Sequence, residues 1–370
     1  MKILFLVNNM EYRNGGVCTH ILDLSKQYVV NGHQVYLISN GSNYDDAIRR
    51  IGIEYHQEIG IANVKFNPFQ YYKSRKQLIE LCLKKKIEIL HLQTQSAIPL
   101  ADYVKKKIGI PYIWTNHVDD IPLPFILKCF HRLYKFPVIS VSSDLKNDLI
   151  QRFNIDEKYI HVVPNGIDVK QYKVLSEEEV RTFKNELGIR DEEYNICLLS
   201  RVTYNKGHDI LVRAINKAQK KINKKIHLII AGSIINNEWL QTTVVDYCNT
   251  NNIKYSYVGF QSARKIFGIS DLFVLPSRKE GFGLVCIEAL AMKCPVIRSN
   301  SPGWLEMRDF CNIVQIEDVD GLAESITHVY LHPKETKDKT LKGYDAVQTT
   351  FNVESVARST IQIYNELLKR

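Results

Sequence analysis

Leu272-Phe-Val-Leu-Pro-Ser-Arg-Lys-Glu280-Gly-Phe-Gly-Leu-Val-Cys-Ile-Glu288-Ala-Leu-Ala291 reads as a buried strand, a glycine-containing loop and a helix. Four apolar residues, Leu272–Leu275, form the strand, which stops at Pro276-Ser277. Gly281 and Gly283 let backbone amides approach a ligand closely. The helix start after Gly283 offers unpaired N–H groups and the positive end of a dipole, an arrangement that favours phosphate. Glu280 precedes the helix and Glu288 lies about one turn inside it, so the two carboxylates do not share a helix face. They suit two parts of one ligand, because a carboxylate accepts hydrogen bonds from hydroxyls. A ribose and a hexose on either side of a diphosphate fit that spacing. Two solvated glutamates on a plain loop and helix would share the spacing, but not the Gly-x-Gly at a strand-to-helix turn.

Working outward, the same alternation recurs along all 370 residues, a length that suggests two domains. Ile3–Val7 is a short apolar run. After Asn14-Gly15-Gly16, Val17, His20, Ile21, Leu24, Tyr28 and Val29 recur at helical spacing, and Asn31-Gly32-His33 ends that helix. Gln34–Ser39, Ile87–Leu92, Tyr112–Thr115 and Val138–Val141 read as further strands. The rhythm breaks at Val163-Pro164-Asn165-Gly166-Ile167-Asp168, a turn or hinge signal. After a charged helical stretch, Ser176–Leu187, strands are expected at Tyr194–Ser200, Ile226–Ala231, Tyr255–Val258, Leu272–Leu275 and Cys294–Arg298. Helices are expected over Gly207–Ala218 and Trp239–Asn249. The pattern is that of an α/β protein with two doubly wound, Rossmann-like domains, 1–166 and 167–351. Such sheets bind ligands at the carboxyl ends of their strands, so a cleft between the domains is the expected binding place. The terminal segment, about 352–370, carries Val353, Val356, Ala357, Thr360, Ile361, Tyr364, Leu367 and Leu368 at helical spacing. It is expected to cover a surface of the first domain.

Composition excludes several classes. With 45% hydrophobic and 24% charged residues the chain is of ordinary globular type. The net charge is +9, and residues 1–165 contribute most of the excess, with 21 basic against 15 acidic side chains. That bias suits an anionic ligand or surface. No zinc, helix-turn-helix or RNP-type motif supports a nucleic-acid partner. The eight cysteines form no Cys-x-x-Cys pair, and several lie in apolar runs, which points to a reducing, cytoplasmic compartment. Met1–Val7 is too short for a signal sequence, and no run reaches transmembrane length.

Further motifs give the loop its context. Glu280…Glu288 resembles the E-x7-E signature of the GT-B glycosyltransferases of family 4, which are retaining enzymes. Ser200-Arg201-Val202 with Lys206-Gly207-His208-Asp209 resembles that family's G-R-L…K-G phosphate segment. Val163–Asp168 is similar to its P-N-G-I/V-D hinge, Val141–Leu145 to its V-S-x-x-L strand end, and Asn31–Val35 to its x-G-H-x-V segment. These matches run in the family's order from residue 3 to about residue 325. The fold implied is GT-B, with two Rossmann-like domains facing a central cleft: an acceptor-side domain at 1–166 and a donor domain at 167–351.

The resemblance implies a retaining transfer of a hexose or N-acetylhexosamine from a nucleotide-sugar, a UDP-sugar ahead of a GDP-sugar. The acceptor implied is a glycan or lipid-linked glycan of cell-surface polysaccharide biosynthesis. Arg201 and Lys206 would hold the donor diphosphate and stabilise the leaving group. Glu288 would take the ribose hydroxyls, and Glu280 the hydroxyls of the transferred sugar. Backbone amides of Gly281, Phe282, Gly283, Leu284 and Val285 would surround sugar and phosphate. Gly259 and Phe260 would seat the base, Gly16 would lie near the phosphates, and His117 would meet the reacting sugar. Two departures bear on donor choice. His91-Leu92-Gln93 stands where the family often has His-x-His, and Ser301-Pro302-Gly303-Trp304-Leu305-Glu306 replaces Gly-Gly-x-x-Glu. Pro302 removes an N–H donor, and Trp304 could stack on a base or sugar. Asp318-Val319-Asp320 precedes a helical stretch, Gly321–Ile326, and reads as helix-start residues rather than a metal motif, so no metal and no other cofactor is expected. Ile121–Phe136 mixes apolar, aromatic and basic residues and is a candidate peripheral contact with the inner face of the cell membrane. The contrasting reading of the whole chain is a non-catalytic GT-B partner that binds sugar or stabilises an active transferase.

Overall fold

A computed structural model describes residues 1–11, 15–57, 68–118, 129, 131–132 and 135–369. Thirteen strands run in chain order among them: β1 (Lys2–Leu6), β2 (Gln34–Ser39), β3 (Glu54–Gln57), β4 (Ile89–Leu92), β5 (Tyr112–Asn116), β6 (Val138–Ser140), β7 (Ile160–Val162), β8 (Tyr194–Leu199), β9 (Ile226–Ala231), β10 (Lys254–Tyr257), β11 (Leu272–Leu275), β12 (Val296–Ser299) and β13 (Asn312–Val314). The chain divides into two compact units, Met1–Gly166 with Val353–Arg370, and Ile167–Asn352. The first holds a seven-stranded sheet ordered β3-β2-β1-β4-β5-β6-β7, the second a six-stranded sheet ordered β10-β9-β8-β11-β12-β13. The pairings are parallel, with Ile3 opposite Val35 and Ile89 in one sheet and Cys197 opposite Ile229 and Phe273 in the other.

The strand sequences show why the sheets are parallel and covered on both faces. Ile226-His-Leu-Ile-Ile-Ala231 is buried at every position, which an alternating, half-solvated strand would not be. In the first unit one face packs Leu4, Leu6, Tyr36 and Leu90 under the helices of residues 68–85 and 98–108. The other face packs Ile3, Phe5, Leu37 and Ile89 under helices Gly15–Val30 and Val353–Leu368. The chain-terminal helix thus belongs to the first unit. Its Tyr364 hydroxyl meets His91 Nδ1 at 2.5 Å, and His91 Nε2 meets Thr115 Oγ1 at 2.6 Å. In the second unit the core lies between the sheet and helices that include His208–Ala218 and Val319–Leu331. Helix Glu177–Glu186 opens on a capping box, in which Ser176 Oγ accepts from the Glu179 N–H and the Glu179 carboxylate from the Ser176 N–H.

Several expectations need correction. The single α-helix expected over Trp239–Asn249 is interrupted: Asn237–Trp239 is α-helical, Leu240–Val245 is a π-helix, and Asp246–Thr250 returns to α. Strands β3, β7 and β13 were not anticipated. The helix placed at Gly321–Ile326 runs over Val319–Leu331, with Asp318 as its N-cap accepting from the Gly321 N–H at 2.8 Å. Most of the candidate membrane segment Ile121–Phe136 lies outside the described residues. Of its described members, His131 and Phe136 are buried, and Phe136 packs against Tyr112 and Trp114, so those two side chains serve the core rather than a membrane face. Among the described residues, no helix is long and apolar enough to cross a membrane.

Candidate active site

In both sheets the crossover from one half to the other falls next to the central strand, between β1 and β4 and between β8 and β11. The carboxyl ends of strands beside such a crossover are where doubly wound sheets bind ligands. Ser200-Arg201 leaves β8 there, and the Ser277–Gly283 loop leaves β11 beside it.

Lys206 and Glu280, 74 residues apart in sequence, form a close ion pair at this place, with side chains 16% and 10% exposed. Gly207 explains how they meet. It sits at φ +72, and a Cβ there would come within 2.1 Å of the Pro276 carbonyl oxygen, so only glycine lets the Lys206 turn press against the end of β11. Glu280 also accepts from Ser277 Oγ at 2.9 Å. Burial acts to raise the Glu280 pKa, but the charge and hydrogen bond of Lys206 and the charge of Arg298 outweigh it and hold the carboxyl below its ordinary value. Glu280 is therefore an ion locked to Lys206 rather than an open carboxylate.

Glu288 differs. It lies within helix Leu284–Ala291 and keeps some solvent exposure. Burial of the carboxyl dominates a hydrogen bond from Tyr172 that acts the other way, and raises its pKa to about 7. Its two oxygens can accept hydrogen bonds from a pair of hydroxyls such as those of a ribose.

Gly283 caps this helix at φ +88, and no side chain caps its start. Phe282 is buried against Phe351, so this residue offers its main chain, not its ring, to the site. Leu284, Val285 and Gly281 are partly exposed. Arg201 is exposed just beyond β8. Gly259 follows β10 at φ +68, and its carbonyl accepts from the Gly232 N–H at 2.7 Å. Phe260 is 80% exposed. The structure thus gathers Lys206, Glu280, Gly281, Phe282 and Gly283 around one loop. Arg201, Gly259 and Phe260 stand at neighbouring strand ends.

Gly16 and His117 belong to the first unit. Gly16 is exposed in the first turn of helix Gly15–Val30. His117 follows β5 and bonds Gln93 Oε1 through Nε2 at 2.5 Å, with His20 edge-on at 5.2 Å. Burial, together with His20 and His91, pushes its pKa well below the ordinary value, so the ring is neutral at neutral pH.

Arg298 was not singled out from sequence, where it closes an apolar strand run. It is fully buried in β12 and donates to the Phe282 carbonyl at 2.8 Å and to the Ser301 and Pro302 carbonyls at 2.9 Å each. The turn that replaces Gly-Gly-x-x-Glu is thereby tied to the glycine loop. Gly303 closes the junction at φ +88, where a Cβ would lie 2.3 Å from the Phe282 oxygen. Arg278 was read only as a loop residue. It forks onto Asp209, both bonds 2.8 Å, and reaches Glu317 at 2.7 Å. Among the described residues no group of three or more His, Cys, Asp or Glu is arranged to hold a metal ion.

Comparison with known proteins bears on this arrangement. Residues 14–171 match the model described as Glycosyltransferase Family 4, and residues 179–343 match Glycosyl transferases group 1. An uncharacterised glycosyltransferase of Methanocaldococcus jannaschii is 27% identical over 318 residues, covering 79% of this chain and 78% of that protein. A glycosyltransferase of Rickettsia africae superposes with a TM-score of 0.89 at 22% identity, over 100% of this chain and 99% of that one. HepE of Anabaena, solved in complex with UDP and glucose, superposes with a TM-score of 0.83 at 17% identity, over 99% and 100% of the two chains. The two sheets are those of the GT-B fold.

Proposed function

Because the chain belongs to the family 4 glycosyltransferases and is a glycosyltransferase, we propose that it transfers a hexose or N-acetylhexosamine with retention of configuration, from a UDP-sugar before a GDP-sugar. The observation that carries this reading is the Lys206–Glu280 pair set beside an uncapped helix start and Glu288. A departing nucleoside diphosphate gains negative charge in the transition state, and fixed cations and N–H groups aimed there lower the barrier. Lys206 and Arg201 supply the cations, the helix start supplies the N–H groups, and Glu288 takes the ribose hydroxyls. Glu280 orients Lys206 and offers its remaining lone pairs to the sugar hydroxyls. His117, neutral, is a hydrogen-bonding group for a sugar hydroxyl. The UDP complex of the Anabaena structural relative supports the choice of nucleotide.

In the step proposed, the bond from the anomeric carbon to the phosphate oxygen breaks and its electron pair leaves with the diphosphate. The acceptor hydroxyl oxygen bonds the same carbon on the same face, and its proton passes to a phosphate oxygen of the leaving group. Lys206 and Arg201 occupy the role a divalent ion plays in metal-dependent transferases, so full activity is expected in EDTA. The acceptor is proposed to be a glycan or lipid-linked glycan of cell-surface polysaccharide synthesis, in keeping with the basic excess of residues 1–165.

The test is a screen of UDP- and GDP-sugars for release of nucleoside diphosphate, with NMR of the released or transferred sugar. Retention, with a UDP-sugar turned over fastest, is expected. An inverted anomeric product would overturn the mechanism, and a folded protein that binds and turns over no nucleotide-sugar would overturn the donor assignment.

A further inference from the structure

Two arginines bracket the glycine loop, and they are balanced differently. The Arg278 guanidinium is neutralised by two carboxylates, Asp209 and Glu317, and stacks on Tyr204 at 3.8 Å. The Arg298 guanidinium is 0% exposed, yet its partners are neutral. They are the carbonyls of Phe282, Ser301 and Pro302, the Ser299 carbonyl at 3.2 Å, Ser301 Oγ at 3.5 Å and Met307 Sδ at 3.2 Å. Among the described residues no carboxylate lies within ion-pair distance of it. Glu280 feels its charge but is held by Lys206. The loop is therefore flanked by two buried or near-buried cations, Lys206 and Arg298, against one carboxylate. A buried cation without a counter-ion is costly, and a fold that keeps one has placed positive potential where an anion can answer it.

The route by which that charge reaches a ligand is visible in the bonding. The Phe282 carbonyl, which accepts from Arg298, belongs to the same peptide unit as the Gly283 N–H. A carbonyl that accepts from a cation polarises its peptide and strengthens that N–H as a donor. Gly283 is the N-cap of helix Leu284–Ala291, so the strengthened donor joins the positive end of the helix.

We propose that Arg298 is a positioning residue for the donor diphosphate: it fixes the Phe282–Gly283 peptide against the Ser301-Pro302 turn and charges it for an anion. This rests on the reading that a nucleoside diphosphate binds at this helix start. Arg298→Met removes the charge at similar volume, whereas Arg298→Lys keeps the charge and loses the fork.

Calorimetric titration of the full chain with UDP and with uridine separates the diphosphate contribution from that of the base and ribose. Arg298→Met is expected to weaken UDP by about tenfold or more, the scale of a charge-assisted contact, and to leave uridine within about twofold. Arg298→Lys is expected to retain most of the UDP affinity. Equal loss of UDP and uridine, or no loss of either, overturns the proposal. If Arg298→Met does not fold, the wild-type protein labelled with 15N-glycine carries the test. The Gly283 amide proton must move downfield with UDP and stay in place with uridine, and no movement with UDP overturns the proposal. Wild-type protein that binds neither UDP nor GDP overturns the donor reading and this inference together. Wild-type binding with unchanged variants overturns this inference alone.

Discussion

In the unit of residues 1–166 and 353–370, Gln93, Asn116 and His117 lie at the ends of β4 and β5 and His20 lies beside them on helix Gly15–Val30, a set without a formal charge near neutral pH. Burial lowers His20 to about 4 and holds His117 well below its ordinary value. In the unit of residues 167–352 the corresponding strand ends carry Lys206, Glu280 and Arg298 as ions, with Glu288 poised at about 7. The two sheets share a parallel plan and the same crossover position. The contrast therefore comes from side chains placed on a common scaffold. Neutral buried donors and acceptors suit hydroxyl groups; an excess of fixed cations suits a diphosphate.

The largest effect expected is that of Lys206→Met. It leaves the buried Glu280 without its cationic partner, which should cost about 3 kcal/mol of stability, and it should lower turnover by about a hundredfold or more. The double variant Lys206→Met/Glu280→Gln separates the two effects. Urea denaturation should recover most of the lost stability while kcat stays low. Recovery of turnover with stability would reduce the pair to a structural feature.

Glu288 comes next. Its folded pKa is raised from 4.5 to about 7, so the native state binds the proton more tightly than the unfolded chain. The stability this contributes is fully present below about pH 4.5 and is lost as the pH rises through 7, by about 3 kcal/mol. Glu288→Gln should flatten that dependence in urea midpoints measured from pH 4.5 to 8, and should weaken UDP binding. A wild-type profile already flat over that range would contradict the assignment.

Two smaller predictions concern the first unit. Tyr364→Phe removes the hydrogen bond to His91 and should cost about 1 kcal/mol, with UDP affinity unchanged. A change in UDP affinity would blur the division between the units. The His117 ring should titrate well below the ordinary imidazole range when followed by NMR, and a midpoint near the ordinary 6.5 would contradict the burial assigned to it.

Much of this contrast was hidden in the sequence for physical reasons. Strands β2, β9 and β11 were legible because each is a largely apolar run buried along most or all of its length. Strand β3, Glu-Tyr-His-Gln, is an edge strand with no fully buried residue, so it carries no apolar signal. Strands β7 and β13 are three-residue edges. The π-helical turn at Leu240–Val245 keeps an ordinary helical sequence pattern. At the site, spacing alone distinguished Glu280 and Glu288 as carboxylates in a loop and a helix. It could not place Lys206 on Glu280 across 74 residues. Arg298 carried no signal beyond closing the Cys294–Arg298 strand run, because its burial depends on carbonyls that the 282 and 301–302 turns bring to it. Pro302 was the one hint, marking a turn whose main chain had been re-shaped, and its carbonyl is one of the Arg298 acceptors.

Hydrogen exchange of the full chain with and without UDP, read by mass spectrometry, tests the central division most directly. The account predicts that UDP protects residues 200–208 and 277–290 and leaves 91–117 at its free rate. Protection centred on 91–117, or none over 277–290 under saturating UDP, would contradict it.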